Sequence, residues 1–121
     1  FLKNSNKNYI NKNMIIEKKV KDIQSVVKDN VILIKGRYDY LVSADMILVN
    51  STGNPGMAKA GTGDVLAGLC AGFWEQCKDP VLSASAAAYI NGKLGDLLKK
   101  RKGYSYIASD LLEDLRKVKK K

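Results

Sequence analysis

Apolar residues recur along the chain at two spacings, one helical and one extended, which predicts a mixture of helices and strands. From Met14 to Val27 they repeat every three or four residues, the period of an amphipathic helix. Residues 1 to 13 are rich in Asn and Lys and lack this period, so we expect a loop or frayed connection there. Asp29-Asn30 ends the helix, and the continuous apolar run at residues 31–34 is typical of a buried parallel strand covered on both faces.

The middle of the chain predicts a β-hairpin and, after a glycine-rich loop, a helix. Residues 40–42 and 46–49 have the composition of strands, and Ser43-Ala44-Asp45 would form the turn between them. In the helix after the loop, one apolar side is expected to be buried and consists of Val65, Leu66, Leu69, Cys70, Phe73, Trp74 and Cys77. Gly68 and Gly72 would let a neighbouring sheet or helix approach this helix closely.

Two further helices complete the predicted pattern. Pro80 suits the first turn of the first of them, which is expected to run to about Lys100 and to stop near Gly103. The second starts at Ser109 or Asp110, either of which can cap it, and ends in the lysine tail. This is an α/β pattern, and 121 residues suffice for one domain or one piece of a domain.

The chain is strongly basic, with 21 Lys and Arg against 12 Asp and Glu and a formal charge of +9. The basic residues concentrate at positions 3–28, 99–102 and 116–121, outside the glycine-rich loop. We interpret them mainly as solvated faces and helix ends, with weak steering of a nucleotide or nucleic acid as the lesser interpretation. The sequence shows no secretory signal and no transmembrane span, so we expect a cytoplasmic protein without a membrane partner.

The two cysteines, Cys70 and Cys77, lie seven positions apart on one predicted helix. Their Cα atoms would be about 10 Å apart, too far for a disulfide, so both are interpreted as small buried hydrophobic residues. The chain has no histidine and no Cys-x-x-Cys, which disfavours a structural zinc site, and no metal-ligating residue is predicted.

The glycine-rich loop carries the strongest candidate chemistry. Residues 53–68 run from glycines directly into an apolar helix, and a helix start offers unpaired N–H groups that a phosphate can approach closely. The amides of Gly61, Thr62 and Gly63 would form an anion hole, and Asp64 would stand beside the phosphate as a base. On local grounds, Asp64 could instead complement the helix dipole, and the glycines could serve only to turn the chain before an N-cap at Thr62.

The segment that begins at Asn50 resembles a longer motif, Asn-x-x-Gly-Asn-Pro-Gly-(Met/Leu)-Ala-x-x-Gly-Thr-Gly-Asp-x-Leu-Ala-Gly. This is the motif of the NAD(P)H-hydrate dehydratases of the ribokinase-like superfamily, and the resemblance covers roughly residues 31–113. It implies the C-terminal part of a three-layer αβα ribokinase-like fold over residues 14–121. The other half of the domain would precede Phe1, so this chain alone is not expected to be a complete catalyst.

The resemblance also implies residue roles. Asp64 matches the aspartate that contacts the hydrated nicotinamide and acts as the base, and Gly63 matches a nucleotide-contacting glycine. Asn50, Asn54 and Gly56 would shape the substrate wall. The family's Lys-Gly-x-x-Thr nucleotide-binding segment matches Lys35, Gly36, Arg37, Tyr38 and Asp39.

The chain departs from the family pattern at three positions. Asp39 replaces a neutral hydroxyl with a carboxylate, which is unhelpful near a nucleotide unless Arg37 neutralises it. Lys59 replaces a small residue and could add favourable charge near phosphate, whereas Ala60 replaces a glycine and matters only if a positive φ is required.

The activity that the resemblance implies is a lyase activity that repairs hydrated NADH and NADPH. ADP or ATP, with Mg²⁺, would phosphorylate the C6 hydroxyl, and phosphate would then be eliminated. The expected partners are the substrate, the nucleotide, the N-terminal half of the domain and an epimerase domain in the full-length protein. A homo-oligomer is also expected, because an open sheet would expose a strand edge.

Two other functions remain open at this point. A hydroxymethylpyrimidine or hydroxyethylthiazole kinase would share Gly-x-Gly-Asp but not the preceding Asn-x-x-Gly-Asn-Pro-Gly. A non-catalytic, basic nucleotide-binding module would use the glycine loop without needing Asp64.

Overall fold

The computed structural model describes the backbone of residues 7 to 118 and the side chains of residues 16 to 117. Helices and strands follow one another in an order that agrees with the α/β pattern. They are α1 (Lys7–Val26), β1 (Ile32–Ile34), β2 (Asp39–Val42), β3 (Ile47–Asn50), a 3-10 turn (Pro55–Met57), α2 (Thr62–Cys77), α3 (Pro80–Lys102) and α4 (Ala108–Val118).

The three strands form one antiparallel sheet in the order β1-β2-β3. The predicted hairpin is confirmed, because β2 pairs with β3 and the Ser43 N–H donates to the Met46 carbonyl at 2.9 Å. The prediction of a parallel strand buried on both faces is wrong for β1. It pairs antiparallel with β2 at an edge of the described sheet, and its Ile32 is 40% exposed. An apolar run indicates a tendency to be buried, but it carries no information about pairing direction.

The sheet lies between two layers of helix. Alternate residues of β2 point to opposite faces. Leu41, with Leu33 of β1, faces α3, whereas Tyr40 lies near Glu17 of α1. Burial raises the pKa of Tyr40, and the nearby Glu17 carboxylate raises it further. The Gln24 side-chain amide of α1 also donates to the Ser43 carbonyl at 3.0 Å, which joins α1 to the hairpin turn.

Two clusters of buried residues hold the helices together. The first joins α3, the α3–α4 connection and α4 and consists of Leu94, Leu98, Tyr106 and Leu111. The second joins α2 to α3 and consists of Leu66, Ala87 and Ala88, with Leu33 of the sheet packed against it. Because α3 contributes to both clusters, it is the central helix of the structure.

The observed helix ends differ from the predicted ones at three places. α4 begins at Ala108 rather than at Ser109 or Asp110, and the Asp110 carboxylate accepts from the Ile107 N–H at 2.9 Å from within the first turn. α1 begins at Lys7, so it includes residues 7–13, which were expected to be loop; residues 1–6 lie outside the described part of the chain. Asn and Lys do not prevent helix formation, so the missing apolar period did not exclude a helix. α2 is capped by Gly61 rather than Thr62. The end of α3 before Gly103 is confirmed.

The far half of α2 is more exposed than its apolar stripe predicted. Trp74 is 45% exposed, Cys77 is exposed and Cys70 is half-buried, so the interpretation of both cysteines as buried is wrong. No described atom other than the helix's own neighbouring backbone lies within 4 Å of a Cβ built on Gly68 or Gly72, so the predicted close approach is absent from residues 7–118. The stripe is wider than the surface that α3 and α4 cover.

Candidate functional site

Hydrogen bonds of the Asn50 side chain hold the start of the loop between β3 and α2. The Asn50 amide nitrogen donates to Asp39 Oδ2 at 3.1 Å and to the Ala88 carbonyl at 3.2 Å. Its Oδ1 accepts from the Thr52 N–H and hydroxyl at 3.3 and 2.9 Å. The side chain expected to shape a substrate wall is therefore turned into the protein, where it joins β2, β3 and α3.

The centre of the loop is held by a second asparagine and by Asp96 of α3, a residue that the sequence analysis did not single out. Asp96 accepts from the Gly53 N–H and from Asn54 Nδ2, both at 3.0 Å. Asn54 Oδ1 accepts from the Gly56 N–H at 3.0 Å and from the Tyr106 hydroxyl at 2.8 Å. Asn54 thus caps the Pro55–Met57 turn and shapes the loop from inside.

Close approach of the loop to α3 requires glycine. A Cβ on Gly92 would lie 2.0 Å from Thr52 Oγ1, and one on Gly95 would lie 2.4 Å from the Met57 sulfur. Gly56 is itself buried, and a Cβ there would lie 2.7 Å from the Tyr104 ring. The loop therefore has little freedom to move relative to α3.

Lys59 ties the end of the loop to the connection between α3 and α4. Its ammonium group donates to the carbonyls of Tyr104 and Tyr106 and lies 4.4 Å from the centroid of the Tyr106 ring. Lys59 was expected to add positive charge near a phosphate. In the structure, its ammonium group donates to two backbone carbonyls, which compete with a phosphate for the same donors. Burial raises the pKa of the Tyr106 hydroxyl, and the nearby Asp96 carboxylate raises it further.

The first turn of α2 presents free backbone donors. Gly61 caps the helix at φ 88°, and the first helical hydrogen bond runs from the Val65 N–H to the Gly61 carbonyl at 3.1 Å. The N–H groups of Gly63 and Asp64 precede this bond and have no acceptor within the helix. The Thr62 N–H instead lies 3.4 Å from the Lys59 carbonyl, so it is less available to an anion. The buried Thr62 hydroxyl lies 2.7 Å from the Met57 carbonyl and 3.0 Å from that of Lys59.

Asp64 is exposed at one end of an open groove of about 620 Å³ between α2 and α4. Gly61 and Ser109 line the same end. The rest of the lining is largely apolar and includes Val65, Leu69, Phe73, Leu112 and Leu115, together with Gly68 and Gly72. The groove therefore combines a carboxylate and free amides at one end with a largely apolar surface along the rest of its length.

The segment predicted to bind nucleotide forms the connection from β1 to β2. Lys35, Gly36 and Arg37 are exposed, and the Arg37 guanidinium lies 5.7 Å from the centroid of the Tyr38 ring. Asp39 turns inward, where its Oδ1 accepts from the Gly36 N–H at 3.4 Å and its Oδ2 from Asn50. The Asp39 carboxylate is thus engaged in hydrogen bonds within the protein.

Four of the candidate residues line two separate grooves, whereas Lys35, Gly36, Arg37, Tyr38, Asn54, Gly56, Thr62 and Gly63 line neither of them. Gly61 and Asp64 share the groove along α2, whereas Asp39 and Asn50 line a second groove of about 410 Å³ between the sheet and α3. Asp96 and Tyr106 were missed because their partners lie 42 and 52 residues away along the chain. A single acid in a helix gives no local signal of such contacts.

Among the described side chains, no group of three or more His, Cys, Asp or Glu residues could hold a metal ion. None of the helices that the structure describes is long and apolar enough to cross a membrane.

Comparisons with known proteins agree with the geometry. The model of one family, described as NAD(P)H-hydrate dehydratase, matches residues 8–117. The chain is 46% identical over 91 residues to the bifunctional NAD(P)H-hydrate repair enzyme of Methanocaldococcus jannaschii, covering 75% of this chain and 18% of that protein. It is 43% identical over 89 residues to the ADP-dependent (S)-NAD(P)H-hydrate dehydratase of Cenarchaeum symbiosum, covering 74% of this chain and 31% of the relative.

The fold is also shared with a solved structure. The crystal structure of the ADP/ATP-dependent NAD(P)H-hydrate dehydratase of Bacillus subtilis, co-crystallised with ATP and Mg²⁺, superposes with a TM-score of 0.76 at 28% identity, covering 89% of this chain and 40% of that one. The predicted ribokinase-like α/β fold is confirmed. The chain spans less than a third of the length of the two curated relatives described above. With a family match over residues 8–117, the chain belongs to the NAD(P)H-hydrate dehydratase family.

Proposed function

We propose that this chain supplies the base and part of the phosphate site for the nucleotide-dependent dehydration of hydrated NADH and NADPH. The observation that carries the proposal is the position of Asp64, which is exposed in the groove at the first turn of α2, next to unpaired amides. A carboxylate beside an anion site can accept a proton from a hydroxyl that attacks phosphorus.

In the proposed reaction, Asp64 takes the proton of the C6 hydroxyl as that oxygen bonds to the terminal phosphorus and the phosphoanhydride bond of the nucleotide breaks. The amides of Gly63 and its neighbours stabilise the negative charge on the transferring phosphoryl oxygens. Phosphate then leaves C6 with the electron pair of the C–O bond, and the neighbouring ring carbon loses a proton. The dihydronicotinamide ring is thereby restored.

We propose that the nucleotide contacts the exposed connection at Lys35, Gly36 and Arg37 as well as the first turn of α2. A lysine and an arginine on a short connection provide positive charge for phosphate. Tyr38 and Asp39 would shape this connection, since Asp39 accepts from the Gly36 N–H. Gly61 and Thr62 would set the direction of the amides that follow them.

Mg²⁺ is proposed to arrive with the nucleotide. Mg²⁺ commonly binds through substrate phosphates, waters and only one or two carboxylates, so it does not need a cage of protein ligands. The groove offers the Asp64 carboxylate, and no group of three or more His, Cys, Asp or Glu residues that could hold a metal ion exists among the described side chains.

A product assay with the full-length protein tests the proposed function. Incubation of hydrated NADH with ADP or ATP should restore the dihydronicotinamide absorbance and release one inorganic phosphate for each cofactor repaired. A small-molecule kinase would instead accumulate a phosphorylated acceptor without releasing phosphate. If neither nucleotide supports any restoration of the cofactor, the proposed function is wrong.

Several properties of the whole protein remain predictions. The relative from Methanocaldococcus jannaschii is named as bifunctional, and we propose that a second repair activity, expected to be an epimerase, accompanies this one. Cytoplasmic localisation and assembly into a homo-oligomer are proposed on the sequence arguments alone.

A further inference from the structure

We propose that Asp96 is a positioning residue, which fixes the loop before α2 and thereby the location of Asp64. It lies on α3 and is absent from the lining of the groove that holds Asp64. Its two carboxylate oxygens each accept one hydrogen bond from the loop, from Gly53 and from Asn54. The catalytic consequence of this role rests on the proposed function, whereas its structural consequence can be measured independently.

The hydrogen bonds around Asp96 allow only one arrangement of donors and acceptors. The N–H groups of Gly53 and Gly56 can only donate. Gly56 therefore requires the oxygen of Asn54, at 3.0 Å, and this leaves the Asn54 amide nitrogen facing Asp96. Two acceptors are needed at position 96, and a carboxylate provides them.

The effect of Asp96 passes through the loop to the start of α2. Asn54 also accepts from the Tyr106 hydroxyl, and the Tyr106 carbonyl accepts from the Lys59 ammonium. The Lys59 carbonyl in turn lies 3.0 Å from the Thr62 hydroxyl, two residues before Asp64. A continuous set of polar contacts therefore connects Asp96 to the first turn of α2.

This geometry permits an exchange of the two side chains as a test. Asn54→Asp alone would place two carboxylates about 3.0 Å apart, the present distance between Asn54 Nδ2 and Asp96 Oδ1. Asp96→Asn alone would place an amide donor opposite either Gly53 or Asn54, both of which donate. The double variant Asn54→Asp/Asp96→Asn restores every hydrogen bond. The carboxylate at position 54 still accepts from Gly56 and Tyr106, and the amide at position 96 accepts from Gly53 and donates to position 54.

The experiment compares the parent, the two single variants and the double variant in the full-length protein. Amide hydrogen exchange at Thr62 and Val65, whose N–H groups bond to the loop and to Gly61, reports the order of the first turn directly. Turnover is measured in parallel as kcat and KM for the nucleotide and hydrated NADH. Asp79→Ala is the control, because it removes a 3.0 Å aspartate–backbone bond at the opposite end of α2 and α3.

We expect each single variant to accelerate exchange at Thr62 and Val65 by about tenfold or more and to lower kcat by about tenfold, as a small misplacement of a reacting group would. The double variant should return both to within about threefold of the parent. Asp79→Ala should change neither. Unchanged exchange at Thr62 and Val65 in both single variants, or a double variant no better than the singles, would overturn the positioning role. If the parent itself lacks turnover, the proposed function fails, and the exchange rates still decide the role of Asp96.

Discussion

Replacement of Gly92 by alanine tests how closely the loop approaches α3. The new Cβ would lie 2.0 Å from Thr52 Oγ1 and 2.7 Å from the Thr52 carbonyl carbon. Ordinary contact begins near 3.4 Å, so the loop would have to move by about 1.4 Å. This shift would break the contacts of the Thr52 hydroxyl with Asn50 Oδ1 at 2.9 Å and with the Tyr89 carbonyl at 3.1 Å.

The expected magnitude combines three terms. Overpacking costs about 1–3 kcal/mol, and the loss of a hydrogen bond costs about 1 kcal/mol. Alanine gains about 1 kcal/mol over glycine inside a helix, which offsets part of this cost. We therefore expect Gly92→Ala to lower the free energy of unfolding by about 1–3 kcal/mol.

Gly72→Ala provides a matched control, because it is the same substitution in a helix interior with nothing within 4 Å of the new Cβ except the helix's own neighbouring backbone. It should raise the free energy of unfolding by about 0.5–1 kcal/mol. Urea unfolding followed by circular dichroism measures both variants. A Gly92→Ala protein as stable as Gly72→Ala would refute the close approach of loop and helix.

Three further predictions concern single side chains. Tyr106→Phe should lose about 1 kcal/mol of stability with its hydrogen bond to Asn54. Burial and the Asp96 carboxylate raise the folded pKa of Tyr106, so the parent loses the stability linked to this rise as the pH increases through that pKa. A spectrophotometric titration should show one fewer late-titrating tyrosine in the variant. Hydrogen bonds from Lys102 and from the Ile107 N–H lower the pKa of Asp110, so Asp110→Asn should destabilise the protein near neutral pH. The difference in stability between parent and variant should vanish as the pH falls through the lowered pKa, and unfolding curves across acidic pH would detect this. Gly63→Val should weaken ADP or ATP binding by obstructing the first-turn amides, and unchanged affinity by calorimetry would leave these glycines with a purely structural role.

The sequence predicted the features that depend on local pattern. Glycines before an apolar helix located the start of α2, and Asp79-Pro80 and Gly103 bounded α3, because capping and backbone geometry are determined within a few residues. The hairpin was likewise predictable from two short apolar runs around a turn.

The contacts that hold the site were not predictable in this way. Asp96 and Tyr106 reach the loop only after α3 and α4 have packed, and the inward turn of Asn50 and Asp39 depends on register between strands. The exposure of Trp74 was missed because helical periodicity shows which residues share a face but not how far a neighbour covers it.

The proposed role of Asp64 as the base is tested most directly by Asp64→Asn in the full-length protein. Turnover of hydrated NADH should fall by about 10² to 10⁴, as expected for loss of a general base, while nucleotide affinity stays within a few-fold of the parent. Glu75→Gln makes the same change from carboxylate to amide at an exposed position later in α2 and should leave turnover unchanged. Turnover by Asp64→Asn within about tenfold of the parent would contradict the assignment of Asp64 as the base.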